Sequence, residues 1–212
     1  MIENGVDLTI WSPPETPAPP GGSLRIVFVG RLIECKAVEL LLESLRDLRG
    51  TLPARLVVAG DGPLRSRLED RTAQLGLTES VEFVGWLTQE ECAELLRRSD
   101  VLVLPSLHEC GGAVVLEAMA TALPVVVADW GGPADYVDDS CGIRIAPSSR
   151  EEFVAGLAAA IGRLAGSPEL RRALGSAGRE RILRDYDWEQ KIDQLLDVYE
   201  SLIRASRVRR GS

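Results

Sequence analysis

The sequence is poor in the residues that build metal centres and disulfide frameworks. It has one histidine, His108, and four cysteines in 212 residues, and no two cysteines have C-x-x-C spacing. Zinc sites and small disulfide-stabilised domains depend on such spacings. The pattern therefore favours free thiols in a reducing cytoplasm and no metal site.

Long apolar runs and an excess of positive charge are also missing. No segment approaches the ~20 apolar residues of a membrane span, and no basic stretch followed by an apolar one opens the chain. Acidic residues outnumber basic ones by 32 to 24, which gives a formal net charge of −8. Surfaces that bind nucleic acid are usually basic, so nucleic acid is not an expected partner. An anionic ligand would need a local group of basic residues.

Two common phosphate-binding fingerprints are absent. The G-D-G-P segment from Gly60 to Pro63 lacks the third glycine of G-x-G-x-x-G, and no G-x-x-x-x-G-K-[ST] loop occurs. These absences argue against a nicotinamide dinucleotide site and a P-loop. The G-D-G-P segment predicts a tight turn into the next helix.

Apolar strands alternate with amphipathic helices from Leu24 onward. Strands are predicted at 25–30, 54–60, 81–85, 101–104, 124–128 and 142–145, and helices at 37–48, 64–75, 89–98, 112–122, 149–164, 168–185 and 188–207. Such alternation requires crossover connections and a parallel sheet. We predict an α/β fold: a Rossmann-like, doubly wound parallel sheet of about six strands, with helices on both faces and a helical C-terminal end.

The same pattern suggests three parts of the chain. Residues 1–23 are rich in proline and glycine and predict an interdomain linker. Residues 24–185 form the predicted ligand-binding domain, and residues 186–212 form a terminal helix.

The segment P-S-L-H-E-C-G-G-A-V-V-L-E from Pro105 to Glu117 is the strongest candidate site. Gly111 and Gly112 allow the backbone to approach a ligand where a helix begins, and free N–H groups at a helix start bind phosphate. Glu117 lies in an otherwise apolar helix, so its carboxylate needs a partner. Either ligand hydroxyls or a salt bridge to a neighbouring helix would supply one.

Arg31 and Lys36 follow the first predicted strand, five residues apart. Ligands of open parallel sheets bind beyond the carboxyl ends of the strands. Arginine can bind two oxygens of a diphosphate, and lysine acts as a point charge. The alternative is a pair of solvated surface cations.

Two further motifs have simpler interpretations. The D-x-D spacing of Asp185 and Asp187 is used by metal-dependent sugar transferases, but Asp187 followed by W-E-Q predicts a helix N-cap with Gln190 at the capping-box position. His108 adjoins Glu109, which suggests either a general base or a loop histidine that orients the backbone.

Several motifs occur together in one order. They are N-G-V-D at 4–7, G-R-L-x-x-x-K at 30–36, V-A-G-D-G-P at 58–63, V-E-F-V-G at 81–85, S-D-V-L-V-L-P-S at 99–106, E-x7-E formed by Glu109 and Glu117, L-E-A-M-A at 116–120, P-V-V-V-A at 124–128 and G-G-P-A-D at 131–135. With them, nearly the whole chain resembles the C-terminal, donor-binding domain of the retaining, family 4 type (group 1) glycosyltransferases, one half of a GT-B fold.

The resemblance implies transfer of a hexosyl group from a UDP-, GDP- or ADP-sugar, with retention of configuration and without a required metal or cofactor. It implies catalytic roles for Arg31 and Lys36 on the diphosphate and for Glu109 on the sugar, and a ribose contact for Glu117. The rest of the implied donor site comprises Gly30, Gly60, Trp86, Leu87, Gly111, Gly112, Ala113, Val114 and Leu116, with Trp86 and Leu87 near the base.

The resemblance also implies a partner, since the acceptor-binding N-terminal domain is not in this sequence. The last helix would cross to that domain, and the chain alone would be inactive or nearly so. We expect a cytoplasmic location, with membrane contact only through the full-length enzyme, at the inner membrane face. Ala37 and Ala122 stand where the family commonly has glycine, and Cys110-Gly111 replaces a more usual Gly-Phe.

Two other function classes remain open from the sequence. One half of a nucleotide-sugar epimerase would epimerise a donor without an acceptor. In a non-catalytic nucleotide-binding module, Glu109→Ala would leave ligand binding unchanged.

Overall fold

Six short apolar strands form one parallel sheet in the computed structural model, which describes residues 4–15 and 22–210. The strands are β1 (Leu24–Val29), β2 (Ala54–Ala59), β3 (Val81–Gly85), β4 (Val101–Leu104), β5 (Val125–Ala128) and β6 (Gly142–Ile145). Every residue of β4 and β5 is buried, which accounts for their uninterrupted apolar sequences. The predicted six-stranded parallel sheet is confirmed.

The strand order β3-β2-β1-β4-β5-β6 places the change of direction between β1 and β4. The chain builds outward from β1 to β3, returns to β4 beside β1, and continues to β6. Right-handed crossovers then put the helices that connect the strands of the two halves on opposite faces of the sheet. The loops after β1 and β4 therefore meet at a crevice on the carboxyl edge, where such folds bind ligands.

Eight α-helices and a short 3-10 helix, Glu34–Lys36, accompany the strands in the described residues. The α-helices are α1 (Val38–Leu48), α2 (Arg65–Gln74), α3 (Gln89–Arg97), α4 (Ala113–Ala120), α5 (Gly131–Tyr136), α6 (Arg150–Gly166), α7 (Pro168–Asp185) and α8 (Trp188–Arg210). α1 packs against α2 and α6, and α4 packs against α5 and α7. None of the described helices is long and apolar enough to cross a membrane.

Polar side chains cap the starts of α3, α6 and α7. Thr88 and Glu91 form a capping box at α3, and the Asp187 carboxylate accepts the Glu189 N–H at 3.1 Å, so the predicted N-cap of the last helix is confirmed. The predicted capping-box partner Gln190 instead donates to the Asp187 side chain at 3.3 Å. The helix α5 was not predicted, because its G-G-P opening is typical of a turn.

Two alanines adopt the left-handed backbone conformation that normally favours glycine. Ala37 has φ of 51° and Ala122 has φ of 58°. The family resemblance implies glycine at both positions, and the left-handed backbone gives a physical reason for it. Ala37 directly follows Lys36 and precedes α1.

The N-terminal segment of residues 4–15 packs against the domain. Val6 and Trp11 are buried, and the backbone of Val6 bonds to Tyr186 and Trp188 on either side of the bridge to Asp187. The predicted linker of residues 1–23 therefore contains a well-packed part. Residues 1–3 and 16–21 of the predicted linker lie outside the described residues. The linker role stays a prediction.

Candidate functional site

Glycines at the carboxyl ends of neighbouring strands lie in close contact. Gly30 follows β1 and Gly60 follows β2, and the Gly60 N–H donates to the Gly85 carbonyl at 2.6 Å. A Cβ atom on Gly60 would lie 2.0 Å from the Gly30 oxygen, and Gly60 has φ of 122°. Only glycine fits this contact, so the predicted G-D-G-P turn is held directly against the loop that carries Arg31 and Lys36.

Lys36 and Glu109 meet across the crevice as an ion pair. Their side chains are only 17% and 13% exposed, so the pair is well shielded from solvent. The Leu107 N–H donates to the Cys35 carbonyl at 2.8 Å and ties the loop after β4 to the loop after β1. The structure therefore brings together two of the three side chains predicted to act on the donor.

Arg31, the third of these side chains, is exposed and makes no ion pair within the part of the chain that the structure describes. It lies between Gly30 and Leu32 at the end of β1, where its guanidinium remains available to an anion. The structure does not bring it onto Glu109.

The start of α4 lies directly beside the Glu109 carboxylate. The Gly112 N–H donates to Oε1 of Glu109 at 3.2 Å, while Lys36 pairs with Oε2. Gly112 has φ of 65° and is the residue before the helix. A lysine ammonium and a helix-start amide thus bind the two oxygens of one carboxylate, an arrangement that suits an anionic group.

Glu117 lies five residues beyond Gly112, in the second turn of α4, and lines a separate pocket. It borders a pocket of about 310 Å³ whose other walls are Gly5, Val6, Asp7, Ile10, Trp11, Gln89, Ala113 and Trp188. No basic side chain among the described residues pairs with it, so the alternative of a salt bridge to a neighbouring helix is not observed. Burial raises the pKa of Glu117 to about 7.

This burial predicts a pH-dependent stability. Because the pKa of Glu117 rises from 4.5 to about 7 on folding, the folded state binds more protons than the unfolded state in that range. The free energy of unfolding should therefore fall as the pH rises from about 5 to about 8, by up to about 3 kcal/mol from this group.

Urea unfolding of the wild type and Glu117→Gln at several pH values measures this contribution. The variant should gain stability relative to the wild type as the pH rises. Glu151→Gln, which removes an exposed carboxylate from the first turn of α6, should run parallel to the wild type. A constant difference between Glu117→Gln and the wild type would contradict the prediction.

The remaining predicted donor-site residues occupy different environments. Trp86 follows β3 and is 75% exposed, and Leu87 beside it is half-buried. Gly111 and Val114 are half-buried and Ala113 is exposed at the start of α4. Leu116 is a correction: its side chain is fully buried in the core and cannot contact a donor.

Three side chains near the site were not predicted to belong to it. The Asn4 amide donates to the Tyr136 hydroxyl at 3.1 Å and lies 3.4 Å from where a Cβ of Gly111 would be. The Trp130 ring meets the His108 ring at a centroid distance of 4.9 Å. The sequence contained a partial signal only for Asn4, through the N-G-V-D motif.

His108 is exposed and packs edge-to-face on Trp130, with an angle of 87° between the ring planes. This contact gives the histidine a packing role in the loop. Within the described residues, His108 makes no hydrogen bond that would support the general-base interpretation.

A Rossmann-like parallel sheet with this crevice is the architecture of one half of a GT-B glycosyltransferase. The chain belongs to the family of glycosyl transferases group 1, whose family model matches residues 12–181. The suspected family is thereby confirmed.

Individual relatives agree with this assignment. A glycogen synthase of Mycobacterium tuberculosis is 34% identical over 209 residues, which cover 98% of this chain and 49% of the relative. Among solved structures, a sucrose-phosphate synthase from Thermosynechococcus elongatus is 28% identical with a TM-score of 0.85, covering 96% of this chain and 52% of that one.

A more distant structure has the same fold. Anabaena HepE in complex with UDP is 20% identical with a TM-score of 0.80, covering 93% of this chain and 56% of that one. The chain thus spans about half the length of the relatives it matches.

Proposed function

We propose that this chain is the donor-binding half of a retaining glycosyltransferase that moves a hexosyl group from a nucleotide-diphosphate sugar. The observation that carries the proposal is the convergence of Lys36, Glu109 and the Gly112 N–H at the start of α4. Glu117 lies further along the same helix in its own pocket.

The diphosphate is assigned to Lys36, Arg31 and the N-terminal end of α4. Lys36 and Arg31 supply two positive charges, and the helix start adds amide donors and a favourable dipole. These groups would stabilise the leaving diphosphate as negative charge develops on it, without a required metal. Donor binding would exchange the Lys36–Glu109 ion pair for contacts from Lys36 to phosphate and from Glu109 to sugar hydroxyls.

The ribose is assigned to Glu117. A half-buried carboxylate without a cationic partner is costly unless hydroxyl groups bind it. The pKa of Glu117 lies near neutrality, so the group can be present in either protonation state when it meets two vicinal hydroxyls. Gln89 and the N-terminal segment close the same pocket.

The base is assigned to the loop after β3, around Trp86 and Leu87. Uracil, guanine and adenine all present flat faces that suit an exposed aromatic side chain. The HepE complex makes UDP the first nucleotide to test. The acceptor is assigned to an N-terminal half, because the relatives are about twice as long. Retention of configuration is what the family resemblance implies.

Removal of the ribose hydroxyls should weaken binding through Glu117. The wild-type chain is expected to bind UDP about tenfold or more tightly than the dideoxy analogue that lacks both ribose hydroxyls, because the analogue leaves the buried carboxylate unsatisfied. In Glu117→Ala, UDP should bind only about threefold or less more tightly than the dideoxy analogue. Isothermal titration calorimetry measures both affinities. GDP and ADP with their dideoxy analogues extend the panel.

Glu151→Ala is the control, since its exposed carboxylate is removed from another helix and should leave the ratio unchanged. If none of the three nucleotides binds, the proposed function is wrong. If the ratio survives in Glu117→Ala, the ribose assignment is wrong while nucleotide binding stands.

The catalytic part of the proposal requires the two-domain enzyme. Sugar transfer to an acceptor, with the anomeric configuration of the product read by NMR, would support retention. Donor epimerisation without an acceptor would favour the epimerase alternative. A wild-type enzyme that transfers no sugar, together with unchanged donor binding in Glu109→Ala, would favour a non-catalytic module.

A further inference from the structure

An exposed aromatic pair is formed by His108, the residue before Glu109, and Trp130. His108 follows β4 and Trp130 follows β5, so both lie on the carboxyl edge of the sheet. Their rings meet edge-to-face at 4.9 Å. Trp130 is 38% exposed, so part of its indole surface faces solvent at this edge.

The loop that carries Trp130 is locked against the loop that carries Glu109. The Gly132 N–H donates to the Glu109 carbonyl at 3.1 Å. A Cβ atom on Gly131 would lie 2.2 Å from the same oxygen. The backbone beside Trp130 is therefore held against the backbone of Glu109. The ring of Trp130 packs on the ring of His108.

A hexose presents two kinds of surface to a protein. Its hydroxyl groups need charged or polar partners, and its C–H faces are apolar and fit against a flat aromatic ring. Specific small-molecule sites commonly combine a few placed polar groups with an aromatic wall. Glu109 and Lys36 supply the polar groups here, and Trp130 supplies an indole beside them.

We propose that Trp130 is a specificity-determining residue that contacts the ring of the transferred sugar, and that His108 is a positioning residue that orients it. The inference rests on the proposed function and deepens it by assigning the apolar face of the hexose to this indole. It predicts that Trp130 contributes to binding of the sugar part of the donor and not to binding of the nucleotide.

The sheet itself separates this contact from the base. Trp86 follows β3, and Trp130 follows β5, which lies four strand positions away in the order β3-β2-β1-β4-β5. Neighbouring strands are about 4.8 Å apart, so the two loops are separated by about 19 Å along the edge. Trp86 is thus a matched control: an exposed tryptophan on the same edge, at the opposite end of the expected donor.

The test compares each nucleotide with its sugar conjugate on the 212-residue chain. Calorimetry gives the affinities of UDP and UDP-glucose, GDP and GDP-mannose, and ADP and ADP-glucose, and the tightest pair is carried forward. Trp130→Ala should weaken the sugar conjugate by about 5- to 20-fold and leave the plain nucleotide within about twofold of wild type. Trp86→Ala should weaken both ligands of the pair by a similar factor.

The positioning role of His108 has its own readout. His108→Ala should weaken the sugar conjugate selectively, and His108→Phe should restore it, because phenylalanine keeps a ring against the indole. The indole N–H resonance that disappears in Trp130→Ala should shift more with the sugar conjugate than with the nucleotide. Thermal melting confirms that each variant is folded.

The outcomes separate the two proposals. The inference about Trp130 is overturned, and the proposed function stands, if the nucleotides bind but no sugar conjugate binds more tightly than its nucleotide. The same holds if the sugar conjugate keeps its full advantage over the nucleotide in Trp130→Ala. If no nucleotide binds, both are overturned. A His108→Phe variant that behaves like His108→Ala overturns the positioning role alone.

Discussion

Replacing Gly60 by alanine is expected to lower the free energy of unfolding by about 3–5 kcal/mol. Two costs add at this position. The new Cβ would lie 2.0 Å from the Gly30 oxygen, a backbone atom that cannot move without shifting the end of β1, and φ of 122° is unfavourable for any residue with a side chain. Urea or thermal unfolding of the purified chain measures the loss.

Gly50→Ala is the matched control for this experiment. Gly50 also has positive φ, at 82°, but no atom lies within 4 Å of where its Cβ would be. Gly50→Ala should lower the free energy of unfolding only by the cost of the unfavourable φ, about 1–2 kcal/mol. Equal losses in the two variants would show that the contact between the loops after β1 and β2 carries no steric cost, contrary to the prediction.

Replacing Lys36 by alanine is expected to weaken nucleoside diphosphate binding by about 10- to 100-fold. A charge-assisted contact in a partly shielded site contributes about 1.5–3 kcal/mol, and the variant also leaves Glu109 as an uncompensated negative charge beside the incoming diphosphate. Calorimetry with UDP, GDP and ADP measures the change.

Two further variants identify the source of the Lys36 effect. Arg163→Ala removes one exposed positive charge from α6 and should leave binding within about twofold, which excludes a net-charge effect. Adding Glu109→Gln to Lys36→Ala should recover part of the affinity, because the repelling carboxylate is gone. Binding of Lys36→Ala within twofold of wild type would remove Lys36 from the diphosphate site.

Much of the fold follows from the order of apolar and amphipathic segments. β4 and β5 are short, wholly apolar and buried, so their sequences allow few other interpretations. The helix α5 escapes this reasoning because Gly131, Gly132 and Pro133 are typical of turns. In the folded chain its first turn packs against the Glu109 loop, a contact that no local pattern predicts.

The candidate site was predictable where it depends on strand ends. Lys36 and Glu109 follow strands that become neighbours, and the strand-end rule for parallel sheets places them on one edge. Two other contacts join parts of the chain that are distant in sequence, Asn4 with Tyr136 and His108 with Trp130. No local sequence pattern predicts either of them. Leu116 shows the converse error, since membership in a motif says nothing about which face of the helix a side chain occupies.

The short backbone bridge between Val6 and Asp187 has a topological consequence. Two hydrogen bonds, from Val6 N–H to Tyr186 and from Trp188 N–H to Val6, hold the segment before β1 against the segment after α7. The sheet and α1 to α7 thus form a unit whose two ends lie side by side. Adjacent ends are the condition that favours domain insertion and circular permutation. Either change would leave every pair of neighbouring strands in this unit together.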